Sequence, residues 1–324
     1  MSDPYTKGLP LVDTVIRTFR VAKLFHENQD EINFVDFFSQ TGEYLISSCN
    51  DDSINIYDVD KGTHRRQVQS KKYGATWIRF THSKNHAIHA SSKLDDAIRY
   101  LSLPDSKYLR YFNGHTKRVT ALDVSPSDDT FLSASLDKTA RIWELRSAGH
   151  SSPVSVINTG GKTVAAYGTE GRVIGLGINS NVIKLYDVRC VDKGPFVTFK
   201  ISEDKTCEWT GIEFSPDGKS ILISTNGTVI RTVDSFTGEL IQSFSGHLNN
   251  RSASLLASYS PDSNFVFCGS VDGRIHVWSA ETGQKVCVLT GDHTGIVGCV
   301  RFNPKFMMLA STCTNMSFWI PCID

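Results

Sequence analysis

The stretch from Asn113 to Arg146 holds three residues of the types that make a hydrolytic triad: His115, Ser133 and Asp137. A nucleophilic serine needs a sharp turn that exposes its hydroxyl. Ser133 instead sits inside Phe131-Leu132-Ser133-Ala134, a run that reads as mid-strand. A second constellation, His82, His86 and His89, has metal-ligand residue types. On a strand, residues 86 and 89 point to opposite faces, His82 falls in the preceding turn, and no carboxylate or thiol close in sequence completes a site. Gly160-Gly161 and Gly175-Leu176-Gly177 precede no helix that could hold a phosphate, and no Gly-x-Ser-x-Gly occurs. None of the eight cysteines forms a Cys-x-x-Cys pair. Cys49, Cys268, Cys299 and Cys313 fall in or beside strand-like runs, where a reduced thiol packs as a small apolar group, as in the cytosol or nucleus. No catalytic residue, metal or cofactor is expected.

The elements around these residues explain them better. From Gly114-His115 the chain rises through Val119, Ala121 and Val124 and turns at Ser125-Pro126. It rises again through Phe131 and Leu132, turns at Asp137-Lys138, and closes on Ile142-Trp143. Alternating apolar residues punctuated by Gly, Pro and Asp mark short antiparallel strands. The unit resembles one WD repeat, the four-stranded blade of a β-propeller. That resemblance makes His115, Ser133, Asp137 and Trp143 a structural tetrad: Asp accepts from His, His contacts Ser, and Ser reaches the indole N–H.

Aligning on Trp143 exposes seven units, at Tyr57, Leu101, Trp143, Tyr186, Val233, Trp278 and Trp319. Successive spacings of 44, 42, 43, 47, 45 and 41 residues carry one period through the whole chain. The fold expected is all-β, a single seven-bladed WD-repeat β-propeller. Six units lack the full tetrad. The fourth has Ser180 in place of the turn Asp, and the fifth uses Asn226-Gly227, a two-residue hairpin signal. Only IPCID follows Trp319, too little for the outermost strand of the last blade. The run from Thr14 to Phe25 reads as the strand that completes it, which removes free sheet edges. Residues 1–13 then form a flexible N-terminal extension and 14–324 the propeller.

The 34 basic and 34 acidic residues balance, so no global field favours nucleic acid or a membrane. With no long apolar stretch and a polar N-terminus, a soluble, non-secreted chain is expected. Arg65-Arg66 and Lys71-Lys72 read as solvated pairs. Lys117, Arg118 and Arg251 follow Gly-His elements, on loops joining blades at one end of the ring. Asn50, Leu94, Leu136 and Val271 stand just ahead of the second-to-third-strand turns and face that same end. Apolar residues rimmed by charge suit a partner-binding surface.

Several stretches carry a closer resemblance: RTFRVAK (17–23), SKKYG (70–74), DDAIRYLSLPDSKYLRYF (95–112) and SLDKTARIWELRS (135–147). It continues with VIKLYDVRCVDKGPFVTFK (182–200), TCEWTGIEFS (206–215), LISTNGTVIR (222–231) and FNPKFM (302–307). Nearly the whole chain resembles the WD repeat-containing protein 82 family, departing from it at the N-terminal extension and from Ala148 to Thr169. The resemblance implies a non-catalytic nuclear scaffold of COMPASS-type histone methyltransferase complexes. The implied partners are the N-terminal region of the catalytic subunit, the nuclear targeting subunit of protein phosphatase 1 in transcription termination, and the RNA polymerase II C-terminal domain, directly or indirectly. Neither a membrane nor sequence-specific nucleic acid is expected as a partner. An adaptor or substrate receptor of another complex, such as a ubiquitin ligase, is the alternative. An enzyme would need titratable residues converging at the centre of the ring, which no motif supplies.

Overall fold

The computed structural model describes residues 10–146, 152–201 and 207–322. Seven four-stranded antiparallel sheets follow one another as blades. Blade 3, for example, is built from Val119–Val124, Thr130–Ser135, Thr139–Glu144 and Ser155–Asn158, and blade 6 from Ser258–Tyr259, Phe265–Gly269, Ile275–Ser279 and Lys285–Leu289. The seven aligned positions occupy one place in every blade. Tyr57, Leu101, Trp143, Tyr186, Val233, Trp278 and Trp319 lie opposite Leu45, Ala87, Phe131, Ile174, Ile221, Val266 and Leu309. All seven are fully or almost fully buried, so each anchors its blade against the neighbours that a single sheet needs to cover its faces.

The ring closes through the N-terminal strand. Phe19–Phe25 runs antiparallel to Met316–Pro321, pairing Phe19 with Pro321 and Phe25 with Met316, and completes blade 7. The strand is shorter than the run from 14 to 25, because Asp13–Arg17 forms a short helix, α1. Asp13 in its first turn and Arg17 in its last complement the helix dipole. Ile16 is wholly buried in the cluster that holds Phe19, Leu289 and Trp319, and Leu11 and Val15 pack against the same cluster. Leu11 of the expected extension therefore touches the ring, whereas residues 1–9 lie outside the described residues. Within the divergent stretch, residues 148–151 do so too.

One turn differs from its sequence signal. Between Ser220–Thr225 and Val229–Asp234 the link has three residues, and neither Asn226 nor Gly227 is left-handed. The Thr225 hydroxyl organises it instead, accepting from Gly227 N–H at 3.1 Å and donating to the Val229 carbonyl at 2.7 Å.

Charged residues do converge at the centre, a feature that no sequence motif announced. Asp36, Asp123 and Glu213 lie on the first strands of blades 1, 3 and 5. Each accepts a backbone N–H from the next blade: Phe80 at 2.9 Å, Tyr167 at 2.9 Å and Tyr259 at 3.3 Å. Arg79 bridges Asp36 (2.9 Å) and Asp123 (3.2 Å), and Arg301 pairs with Glu213. Burial raises the Asp36 carboxyl although Arg79 opposes it. These groups are consumed in joining blades, since charges in so enclosed a place need partners.

Candidate interaction surface

His115, Ser133 and Asp137 are joined as a triad would be, and burial decides what they do. The His115 Nδ1–H donates to Asp137 Oδ2 at 2.8 Å, and Ser133 Oγ donates to His115 Nε2 at 2.7 Å. The Trp143 indole N–H then donates to Ser133 Oγ at 2.8 Å. Ser133 has no exposed surface, so its hydroxyl meets no substrate. Burial lowers the basicity of His115, with Asp137 opposing. For Asp137 burial pulls upward, but hydrogen bonds from Thr139 and His115 prevail and hold its pKa at about 2. The relay pins the loop before the first strand to the turn after the second. It thereby fixes Lys117 and Arg118 beside Leu136, whose N–H donates to the Arg118 carbonyl at 3.0 Å.

Blade 7 carries the same relay with an amide in place of the carboxylate. His293 donates from Nδ1 to Asn315 Oδ1 at 2.7 Å and accepts from Ser311 at 2.6 Å, while Trp319 donates to Ser311 at 2.8 Å. Reading for Asp in the turn missed it; an amide oxygen accepts as well. Burial would raise the neighbouring Cys313 thiol, yet its contact with His293 brings it down to about 7. Blade 2 uses different chemistry. Arg99, almost fully buried, meets both oxygens of Asp95 (2.8 and 2.7 Å) and lies 3.6 Å over the Tyr73 ring. His89 packs inside that blade, whereas His86 is half-exposed against Tyr100 and His82 contacts the Asp128 carbonyl. Among the described residues no three His, Cys, Asp or Glu side chains converge as metal ligands. All cysteines among them are unpaired, and Cys49, Cys268, Cys299 and Cys313 are buried.

The seven surface candidates fall into two groups. Asn50, Leu94, Lys117, Arg118 and Leu136 are exposed on the contiguous blades 1 to 3, with Leu94 at 62% and Leu136 at 39%. Lys93 and Asp52, an ion pair, tie the turns of blades 1 and 2 at this end. Arg251 and Val271 belong to blade 6, separated from blade 1 by blade 7. Arg251 is exposed on a loop clamped by Asn249, whose amide bonds Ala253 at both its N–H and its carbonyl. Val271 is only half-exposed, and its N–H donates to the Leu248 carbonyl at 3.1 Å as that of Leu136 does to Arg118. Leu248 takes the outward place at 53% exposure. Its position directly after His247 was the available signal.

Seven such blades, with the His–Ser–Trp relay in two of them, define a WD-repeat β-propeller. In agreement, residues 18–58, 106–144 and 238–279 match the family description "WD domain, G-beta repeat". The chain belongs to the WD repeat-containing protein 82 family. It is 58% identical to the Drosophila melanogaster protein of that name, over 97% of this chain and 98% of the relative. It is 36% identical to the Set1 complex component swd2 of Schizosaccharomyces pombe, across 87% of this chain and 90% of that one. The COMPASS component SWD2 of Saccharomyces cerevisiae is 32% identical, across 87% and 89%.

Proposed function

We propose that this chain is a non-catalytic scaffold subunit of a COMPASS-type complex that methylates lysine four of histone three, and that it works in the nucleus. The observation that carries the reading is its likeness, over 87% of its length, to two relatives named as COMPASS and Set1 complex components. The burial of the only triad-like constellation noted in the sequence supports a non-catalytic role. In this proposal the N-terminal region of the methyltransferase catalytic subunit docks as a linear segment, and the subunit links the enzyme to transcribing RNA polymerase II. Membership of a protein phosphatase 1 complex acting in transcription termination is part of the same proposal. We assign partner capture to the end bearing Leu94, Lys117, Arg118 and Leu136, which suits an acidic peptide with aliphatic anchors.

Tagged chain would be recovered from nuclear extract and its partners identified by mass spectrometry. The methyltransferase should be among them, and Lys117→Glu with Arg118→Glu should cut its recovery at least about tenfold at an unchanged melting temperature. Phosphatase and targeting subunit without the methyltransferase would reassign the chain to termination alone. Cullins and ligase adaptors without either set would sink the chromatin reading.

A further inference from the structure

The outermost strand of each blade presents a row of backbone N–H and C=O groups without a sheet partner, which natural sheets protect by charge, brevity or cover. Six blades use such a device. Thr63–Gln69 carries Arg65 and Arg66, Lys107–Phe112 carries Lys107 and Arg110, and Phe19–Phe25 carries Arg20 and Lys23. Ser155–Asn158 and Val197–Lys200 have only four residues each. Lys285–Leu289 is covered by α1, whose Ile16 shares a buried cluster with Val286 and Leu289. Blade 5 differs. Its outermost strand, Leu240–Ser245, has six residues with neither a charge nor a proline, and among the described residues only Val229–Asp234 pairs with it.

Blade 6 shows that the difference lies in the side chains and not in the backbone. In both blades a glycine N–H closes the hairpin into the outermost strand, Gly238 to the Asp234 carbonyl and Gly283 to the Ser279 carbonyl, each at 2.9 Å. A one-residue bulge follows in each, at Ile241 or at Val286. At matching positions blade 6 has Glu281, Lys285 and the buried Val286, whereas blade 5 has Phe236, Leu240 and Ile241, all three exposed. Phe236, at 75% exposure, and Phe196 of blade 4, at 56%, line one cavity of about 420 Å³ with buried Leu185 and Phe214 beneath them. Exposed aromatic rings over an apolar floor mark a contact site.

We propose that Leu240–Ser245 takes an extended, uncharged segment of a partner protein as a fifth strand of blade 5, with one bulky apolar side chain of that segment seated between Phe196 and Phe236. Backbone bonds to an open edge supply affinity, and an adjoining pocket supplies selectivity. The open edge dictates the extended conformation, and the apolar cavity calls for a leucine, phenylalanine or tryptophan. A second copy of this chain fits less well. Antiparallel pairing of two such strands about a two-fold axis sets Ser245 of one copy beside Leu240 of the other, and neither Ser245 nor the following Gly246 can fill the cavity. The cavity is built from turns between first and second strands, opposite to those of Lys117 and Leu136, so it lies at the other end of the ring. The proposal does not depend on which complex the chain joins.

Phage-displayed random peptides would be selected on the full chain, and the enriched sequences labelled for fluorescence anisotropy. They should combine a bulky apolar residue with an uncharged, proline-free run. Phe236→Glu, which copies Glu281 of the matching turn, and Ser243→Lys, which puts a charge on the open edge, should each weaken binding at least about tenfold at an unchanged melting temperature. Lys117→Glu should leave binding unchanged. Only every second N–H of an added strand faces the edge, so N-methylation of alternate peptide residues should abolish binding for one set and spare it for the other. Failure to enrich any peptide, full affinity in both blade 5 variants, dependence on Lys117, or equal tolerance of the two methylated sets would overturn the proposal. So would a dimer of the peptide-free chain in sedimentation that Ser243→Lys dissolves.

Discussion

Blades 3 and 6 share three sequence landmarks, a Gly-His before the first strand, an Asp in the second turn and a Trp after it, and wire them differently. In blade 3 the Ser133 oxygen receives the indole proton and gives its own to His115. In blade 6 Cys268 occupies that place, lying opposite His276 as Ser133 lies opposite Arg141. A thiol is a weak partner, and Cys268 turns to the Gly269 carbonyl instead. Trp278 then donates to the Ser245 carbonyl at 3.1 Å, and His247 reaches the Gly227 carbonyl of the preceding blade at 3.3 Å. Neither ring nitrogen of buried His276 has a hydrogen-bond partner. One oxygen therefore decides whether a blade satisfies its buried rings internally or leans on its surroundings.

The comparison can be broken most directly at that oxygen. Ser133→Ala leaves both His115 Nε2 and Trp143 Nε1 without partners in the interior, a loss of about 2–4 kcal/mol in urea unfolding. Cys268→Ala should cost about 1 kcal/mol, since it removes only a small apolar volume; equal losses would erase the distinction. Acid supplies the next effect. Burial, with Lys285 adding to it, holds His276 down at about 4, and burial also lowers His247. An unfolded histidine titrates near about 6.5, so below that pH the unfolded chain binds more protons and stability falls as pH drops toward 4. Melting temperatures across this window should fall less steeply for His276→Leu than for the wild type, and identical slopes would remove His276 from the account. The smallest effect sharpens the comparison. Cys268→Ser restores the missing oxygen and should gain about 1 kcal/mol, a gain that His247→Ala in the same chain abolishes. A net loss would mean that the rings cannot swing to meet it.

The blade period was legible because it rests on turn residues and on one buried anchor per unit, and both leave marks in a linear chain. Closure by Phe19–Phe25 was legible by subtraction, as a strand without a blade opposite a blade without a strand. Helix α1 was not, because Thr14, Val15 and Ile16 have strand character and only the packing of Ile16 against the last blade selects a helix. Asn315 escaped a search for Asp, although its oxygen accepts the same proton. Asp36, Asp123 and Glu213 became a set only when the ring brought their strands to one axis. The candidates on blades 1 to 3 are exposed at their turns, whereas Val271 is half-exposed and Leu248 stands further out.

The seam in blade 7 also governs when this molecule can become itself during synthesis. Its earliest-made strand has to wait for its partner, Met316–Pro321, to leave the ribosome, so six blades can assemble around an open ring while the seventh cannot. Chains stalled before that point would carry Phe19–Phe25 as an unpaired apolar strand. The seam also brings distant parts of the chain together, so a circular permutant opened at an exposed loop of another blade, with Cys322 joined by a short linker to the segment before α1, would move that wait to a different blade.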